Sequence, residues 1–117
     1  MLITEERVRQ FAAVSGDNNP IHLNRKYAEK SIFKERIAHG FLVGSTISAK
    51  IAKLYTGAIY ISQKMKFRKP VYINDSVTAS ITELQKDGNR VLLDTRVLNQ
   101  HGDIVISGEA LILHETE

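Results

Sequence analysis

The chain has 117 residues, enough for one domain with a single hydrophobic core and too few for two. Apolar residues make up 43% and charged residues 25%, a composition typical of a folded domain in water rather than of a disordered chain. The net charge of +3 is far below that of a nucleic-acid-binding surface, although it would suit an anionic small ligand. Because the chain has no cysteine, disulfides, thiolate metal sites and cysteine nucleophiles are excluded.

The sequence contains no recognisable targeting or membrane-spanning segment. Its start, MLITEERVRQ, has no apolar signal-peptide core after a basic head. The least polar long segment, residues 41–54, carries two lysines and is too short to cross a bilayer. We therefore expect a cytoplasmic protein that binds neither membranes nor nucleic acids.

Two helices separated by a loop are predicted for the N-terminal part. Residues 4–14 show apolar residues at helical spacing, with Thr4 as a cap and Gly16 placed to end the helix. Asn24 can cap a second, short helix that runs to about residue 30. Between them, residues 15–22 read SGDNNPIH, and their glycine, asparagines and proline predict a turn-rich loop.

The rest of the chain predicts one long helix followed by a sheet. Residues 38–55 form the longest helical segment, which Gly57 ends; its many small residues are typical of a helix buried on most sides. Four strands are then predicted, at residues 58–68, 76–84, 90–99 and 104–114. The first strand places apolar side chains on one side, at positions 59, 61, 65 and 67. The expected fold class is α+β, a single domain in which a curved antiparallel sheet wraps around the long helix.

Asp17 and His22 lie five residues apart in the SGDNNPIH segment, where Pro20 stiffens the backbone between them. Each has an ordinary structural explanation, since an aspartate after a glycine can stabilise a turn and a histidine can be a partly buried structural residue. A carboxylate and an imidazole on one rigid turn can also remove a proton from a bound water and return it. The pair is therefore a candidate catalytic site.

His39 and Gly40 open the long helix and form a third candidate element. The first N–H groups of a helix have no partner within the helix and carry the positive end of its dipole. A glycine at this point allows the carbonyl oxygen of a ligand to approach such an N–H closely, which outlines an oxyanion site. The alternative is a glycine required only for packing.

These residues resemble the signature of a known family. The motif FAAVSGDNNPIH at residues 11–22, followed after five residues by Ala28, is similar to that of the MaoC-like (R)-specific enoyl-CoA hydratases, which include enzymes linked to polyhydroxyalkanoate synthesis. The resemblance continues through Phe33, the IAHG of residues 37–40, Ser48 and the FRKPVYIND of residues 67–75. It implies a hot-dog fold over residues 1–117, a homodimer, and reversible hydration of trans-2-enoyl thioesters, carried on coenzyme A or acyl-carrier protein, without a cofactor.

The resemblance also implies roles for individual residues. The catalytic acid and base fall on Asp17 and His22, in an order that stays open. The oxyanion and substrate-binding positions fall on Gly40, His39, Asn19 and Ser48. Relatives of this type commonly have an additional N-terminal strand, whereas this sequence starts at its first helix, so we expect one sheet edge to be incomplete.

Three other functions are open on the same residues. A hot-dog thioesterase would place a carboxylate on or near the long helix, but residues 40–49 contain none. A non-catalytic acyl-thioester-binding module would have no need for the Asp17–His22 pair. A metal site formed by these two residues and His39 matches no familiar ligand spacing, so no metal is predicted.

Lys64, Lys66 and Arg68 alternate along the first predicted strand. Such a row is usually a solvated face of a strand. The other interpretation is that it binds the phosphates of coenzyme A.

Overall fold

A computed structural model describes residues 1–115, which contain four helices and four strands. The helices are α1 (Glu5–Ser15), α2 (Pro20–Leu23), α3 (Arg25–Glu29) and α4 (Gly40–Leu54). The strands are β1 (Ile59–Phe67), β2 (Thr78–Asp87), β3 (Arg90–Leu98) and β4 (Ile104–Leu113). None of the helices in this part of the chain is long and apolar enough to cross a membrane.

The predicted helix ends are confirmed by their capping contacts. The Thr4 side chain accepts a hydrogen bond from the Arg7 N–H at 3.1 Å, and Asn24 accepts one from the Tyr27 N–H at 3.0 Å. Gly16 follows α1 with a φ of 81°, a left-handed conformation that favours glycine. Local sequence therefore determines where α1 and α3 begin and where α1 ends.

The SGDNNPIH segment is not a loop throughout, and in this respect the prediction is wrong. Its second half forms α2, a single helical turn that starts at Pro20. Proline suits this first position because an N–H there would have no partner within the helix. The Asn19 side chain caps the turn by accepting a hydrogen bond from the Ile21 N–H at 3.2 Å. His22 therefore lies on a helical turn, which fixes the direction of its side chain.

The four strands form one curved antiparallel sheet in the order β1-β4-β3-β2. A two-residue turn that begins at Gly88, whose φ is 62°, joins β2 to β3. Within residues 1–115, β1 is an edge strand that pairs only with β4, from Ile59 opposite Leu113 to Phe67 opposite Ile106. Its register shifts between Tyr60 and Ser62, which breaks the simple alternation predicted from the sequence.

β2 forms the other edge of the sheet. Just before β2 begins, Leu2 forms an antiparallel bridge with Ser76, and the Val77 N–H donates to the Met1 carbonyl at 2.9 Å. Beyond this bridge no strand within residues 1–115 pairs with the outer side of β2.

Helix α4 lies against the sheet, and the hydrophobic core fills the space between them. Leu42, Val43, Ile47 and Ile51 form its buried face. The opposite face, with Phe41, Ser45 and Ser48, is exposed. The prediction of a helix buried on most sides is thus wrong for a single chain, because one sheet covers only one face of a helix.

Two glycines of α4 receive side chains from β1. A Cβ atom on Gly40 would lie 2.6 Å from Phe67 Cε1, and one on Gly44 would lie 2.6 Å from Met65 Sδ. Both distances are well below ordinary contact. The small residues one helical turn apart therefore allow Phe67 and Met65 to pack directly on the helix backbone.

Candidate active site

The Asp17 side chain is held at the end of α1 by short-range hydrogen bonds. Its N–H donates to Ser15 Oγ at 3.1 Å, and its Oδ1 accepts from the Asn19 N–H at 3.2 Å. The turn-stabilising function is therefore present, but it uses only one carboxylate oxygen. Within residues 1–115 no donor contacts Oδ2, and the side chain is exposed. Asp17 is free to contact a ligand.

His22 points one ring nitrogen to the backbone. Nδ1 lies 2.7 Å from the carbonyl oxygen of Ile37, which can only accept, so Nδ1 carries the proton and Nε2 has a free lone pair. Burial is the largest influence on the pKa of His22 and lowers it below 6.5. The contact with the Ile37 carbonyl partly offsets this by raising the pKa, and the smaller effects of His39 and Asp17 lower and raise it, respectively. His22 is therefore a neutral base at pH 7.

His39 lies behind this pair. Only 1% of its surface is exposed, and its Nε2 lies 3.0 Å from the backbone carbonyl oxygen of Asp17. Its ring centroid is 4.0 Å from that of His22 and 4.9 Å from that of Phe11. The His39 side chain does not line the cleft that contains Asp17 and His22, so the substrate-binding role predicted for His39 stays a prediction.

Gly40 is the first residue of α4 and is fixed by the extended segment before it. The Ala38 N–H donates to the Val71 carbonyl at 2.7 Å, and the Ile37 N–H donates to the Ile21 carbonyl at 3.3 Å. His39 precedes the helix without a side-chain capping bond. Among residues 1–115 nothing accepts from the Gly40 N–H, so it remains available to a ligand oxygen.

A cleft of about 480 Å³ brings Asp17, His22, Gly40 and Arg68 together. The rest of its wall is mainly apolar and consists of Phe33, Ile37, Ala38, Phe41, Val43, Phe67, Lys69, Pro70, Val71 and Ile106. An apolar pocket with a few convergent polar groups is the usual form of a small-molecule site. The geometry suits a ligand with an apolar tail and one reactive polar group.

Two predicted site residues lie away from this cleft. Asn19 caps α2 and positions His22 from outside. Ser48 lies in a separate groove of about 370 Å³ between α4 and β1, beside Tyr60 and Ile61. Neither residue lines the wall around Asp17 in the single chain.

The basic residues divide between two surfaces. Lys64 and Lys66 line an open groove on the outer face of the sheet, and they do not reach the cleft. Arg68 and Lys69 line both the groove and the cleft, and so connect them. Lys69 also lies 3.4 Å from a carboxylate oxygen of Asp103.

Sequence reasoning missed three contributors to the site. Phe67 lines the cleft and packs on Gly40; it belongs to the family-like segment at residues 67–75, but no role was inferred for it. The Ile37 carbonyl, which orients His22, is a backbone group and leaves no signal in a sequence. Lys69 follows Arg68 but lies beyond the end of β1, where strand alternation no longer applies.

Asp17, His22 and His39 are also the residues that could hold a metal, since each offers a ligand atom within 4.8 Å of the others. One nitrogen of each ring is already committed to a backbone carbonyl. The ring centroids of His22 and His39 lie 4.0 Å apart with 32° between the planes, whereas a zinc ion would require both rings to point a nitrogen at one position about 2.0–2.1 Å away. The acid–base role indicated for Asp17 and His22 requires no metal.

A curved antiparallel sheet on a long helix, with an acid and an imidazole beside that helix's first N–H, defines a hot-dog domain equipped for acid–base chemistry. The chain belongs to the MaoC-like domain family, whose model matches residues 1–103.

Named relatives agree with this assignment. The chain is 40% identical to the (R)-specific enoyl-CoA hydratase of Rhodospirillum rubrum over 114 residues, which cover 95% of the chain and 79% of that protein. It is 37% identical to the enzyme of the same name from Aeromonas caviae, over 90% of the chain and 81% of that protein. The solved structure of R-hydratase PhaJ1 from Pseudomonas aeruginosa superposes with a TM-score of 0.93 at 46% identity, covering 100% of the chain and 77% of that structure.

Proposed function

We propose that this chain is an (R)-specific enoyl-CoA hydratase, a hydro-lyase that reversibly adds water to trans-2-enoyl thioesters. The observation that carries the proposal is the meeting of Asp17, neutral His22 and the free Gly40 N–H in one apolar cleft. The names of the relatives in this family support the same reaction.

The reaction follows from the positions of these groups. The thioester carbonyl accepts a hydrogen bond from the Gly40 N–H, so negative charge that develops on this oxygen is stabilised. A water between Asp17 and His22 gives a proton to the pair while its oxygen bonds to C3, and the electrons of the double bond move toward C2 and the carbonyl oxygen. The pair then returns the proton to C2. Both bonds form on one face of the substrate, which gains one whole water molecule, and the Asp17–His22 pair ends in its starting protonation state.

His22 suits the role of the group that first takes the proton. Its lowered pKa keeps Nε2 unprotonated at pH 7, while the Ile37 carbonyl fixes the other nitrogen as a donor. Asp17 then acts on the same water through its free oxygen.

The acyl and coenzyme A parts of the substrate have separate surfaces. The apolar wall of the cleft, including Phe33 and Phe67, suits an acyl chain. Arg68 and Lys69 at the border with the outer groove suit the phosphates of coenzyme A, and Lys64 and Lys66 continue the positive charge along that groove.

The proposed assembly is a cytoplasmic homodimer. Edge strand β1 presents unpaired backbone groups, and it lies beside the exposed face of α4. Phe41, 66% exposed, and Ile61, 48% exposed, form an apolar surface that a second copy would cover together with Ser48. Light scattering should show a dimer; a stable, fully active monomer would contradict this part of the proposal.

The activity is tested with purified protein and crotonyl-CoA. The ultraviolet absorbance of the enoyl group should fall, and the product should be the (R)-3-hydroxyacyl thioester. Release of free thiol at constant enoyl absorbance would instead identify a thioesterase. No change with any chain length would favour a binding module.

Substitution of the pair tests the assignment of residues. Asp17→Asn and His22→Ala should each lower turnover by about 10² to 10⁴, the usual contribution of a positioned acid or base. The double variant should lose far less than the product of the two, because both act on one water. Asp87→Asn and His101→Ala, exposed and outside the cleft, are matched controls. Wild-type turnover in either single variant of the pair would remove that residue from the mechanism.

A further inference from the structure

His39 is a deeply buried titratable residue for which the mechanism above has no use. It does not line the cleft, yet it contacts both members of the catalytic pair. It is also the residue directly before Gly40, and its backbone ends the extended segment that leads into α4. One residue therefore joins the acid, the imidazole and the oxyanion donor.

The contact with Asp17 is made to the backbone. His39 Nε2 lies 3.0 Å from the Asp17 carbonyl oxygen, which can only accept, so Nε2 carries a proton. Asp17 stands in an exposed turn, and its other contacts are to Ser15 and Asn19 within the same segment. Among residues 1–115, the His39 bond is thus the hydrogen bond that ties the Asp17 turn to α4.

The second nitrogen of His39, Nδ1, indicates which tautomer the ring adopts. Nδ1 is buried and has no hydrogen-bond partner within the described chain. A proton on Nδ1 would bury an unpaired donor, whereas a bare lone pair leaves only an acceptor unsatisfied. The tautomer with the proton on Nε2 therefore fits the site, because it donates to the Asp17 carbonyl and buries no unpaired donor.

The contact with His22 is made through the ring faces. The centroids are 4.0 Å apart with an angle of 32° between the planes, and Phe11 packs on His39 at 4.9 Å. His22 is thus fixed at two points, by the Ile37 carbonyl at Nδ1 and by the His39 ring on its face. The Nε2 atom of His22 therefore points in one fixed direction.

We propose that His39 is a positioning residue for the hydration reaction. It holds the Asp17 turn through the Asp17 backbone carbonyl, and its ring supports the face of the His22 ring. This role rests on the proposed hydratase function, but the contacts that define it can be measured without any turnover.

The charged surroundings of His22 agree with such a role. Asp17 faces it from the turn, His39 from the start of α4, and Arg68 and Lys69 line the same cleft from the segment that follows β1. Burial is the main cause of its lowered pKa, and His39 lowers the pKa further. Replacing His39 with an amide should therefore let His22 protonate at higher pH.

Two substitutions separate the hydrogen bond from the ring. His39→Gln places an amide nitrogen near the position of Nε2 and keeps a donor for Asp17, but removes the ring. His39→Phe keeps an aromatic face against His22 and removes the donor. His101→Gln, at an exposed turn residue, is the matched control. Thermal unfolding of each variant gives the folded fraction by which turnover is divided.

The expected pattern is specific to positioning. His39→Phe should lower kcat about 10²-fold with little change in KM, since a small misplacement of a catalytic group has this effect. His39→Gln should retain most of kcat, but the acid limb of its kcat/KM profile should move to higher pH. If both variants only lose thermal stability, while kcat per folded molecule and the acid limb stay as in wild type, the proposal is overturned.

Nitrogen-15 NMR of the imidazoles decides the question independently of activity. The wild-type protein should show the Nε2–H form of His39 and the Nδ1–H form of His22 at neutral pH. In His39→Gln the titration of His22 should move to higher pH. An Nδ1–H tautomer of His39 at neutral pH, or an unmoved His22 titration, would refute the proposal. A wild-type protein with these tautomers but no hydration of an enoyl-CoA of any chain length would refute the hydratase function and leave the His39 contacts in place.

Discussion

Substitution of Gly40 by alanine should reveal how tightly the oxyanion donor is packed. The new Cβ would lie 2.6 Å from Cε1 and 2.9 Å from Cδ1 of Phe67, whereas carbon atoms prefer about 3.5–4.0 Å. The ring of Phe67 must therefore move by about 1 Å, which it can do because the side chain is 50% exposed. Overpacking typically costs about 1–3 kcal/mol, and the better helix propensity of alanine returns up to about 1 kcal/mol. The net loss of stability should be about 0–2 kcal/mol.

The effect on catalysis should be larger than the effect on stability. Gly40 and Phe67 both line the cleft, so a displaced ring and the new methyl group crowd the place where the thioester carbonyl meets the Gly40 N–H. Loss of one oxyanion donor costs about 10² to 10³ in turnover, and Gly40→Ala should approach this range. Adding Phe67→Ala should restore part of the turnover, because it removes the atoms that the methyl group strikes.

Gly44→Ala is the matched control for this experiment. Its Cβ would meet Met65 Sδ at the same 2.6 Å on the same helix, but Gly44 does not line the cleft. It should lose comparable stability and keep its turnover. Crotonyl-CoA hydration and thermal unfolding are measured for all four variants. A fully active Gly40→Ala, or strictly additive effects of Gly40→Ala and Phe67→Ala, would refute the proposed carbonyl site and its contact with the ring.

Three further outcomes are expected. Gly108→Ala would drive a Cβ into the Lys64 carbonyl oxygen, and because a backbone atom cannot rotate away, urea denaturation should show a loss of about 3 kcal/mol. A loss below about 1 kcal/mol would contradict the close approach of β1 and β4. Because the pKa of His22 is lowered on folding, the free energy of unfolding should fall as the pH decreases from 6.5 toward that lowered pKa, and His22→Phe should remove this dependence. The hydrogen bond and charge of Arg36 lower the pKa of Glu5 below 4.5, so the stability advantage of wild type over Arg36→Met should shrink as the pH falls below 4.5; a constant difference in acid titrations would show that the pair does not contribute.

Local signals were sufficient for most of the fold. Thr4, Gly16 and Asn24 predicted helix ends that their capping contacts confirm, and the four predicted strands correspond to β1 to β4. The prediction of a loop throughout the SGDNNPIH segment was wrong for a physical reason. The same Asn19 and Pro20 that interrupt one helix are also an ideal start for the next, and only the packed chain decides between a loop and a turn of helix.

The site was predictable in part. Asp17, His22 and Gly40 line one cleft, as their residue types and the family resemblance implied. The local backbone structure around each residue fixes its position. The position of His39 was not predictable, since a histidine beside an oxyanion glycine can face the cleft or the core with equal ease. Burial of His39 depends on Phe11 and the Asp17 turn, which only the tertiary structure brings together.

The strand order has a consequence for how the protein is made. During synthesis the N-terminal parts of a chain leave the ribosome first, and folding can begin before the chain is finished. Within residues 1–115, however, β1 pairs only with β4, the last of the four described strands to be translated. Ile59 therefore stays unpaired until Leu113 has been made, and Phe67 until Ile106. Until then α4 and β1 expose apolar surface that invites chaperones or aggregation. The nascent chain thus carries Asp17 and His22 long before the cleft can form, and activity should appear only after β4 has emerged.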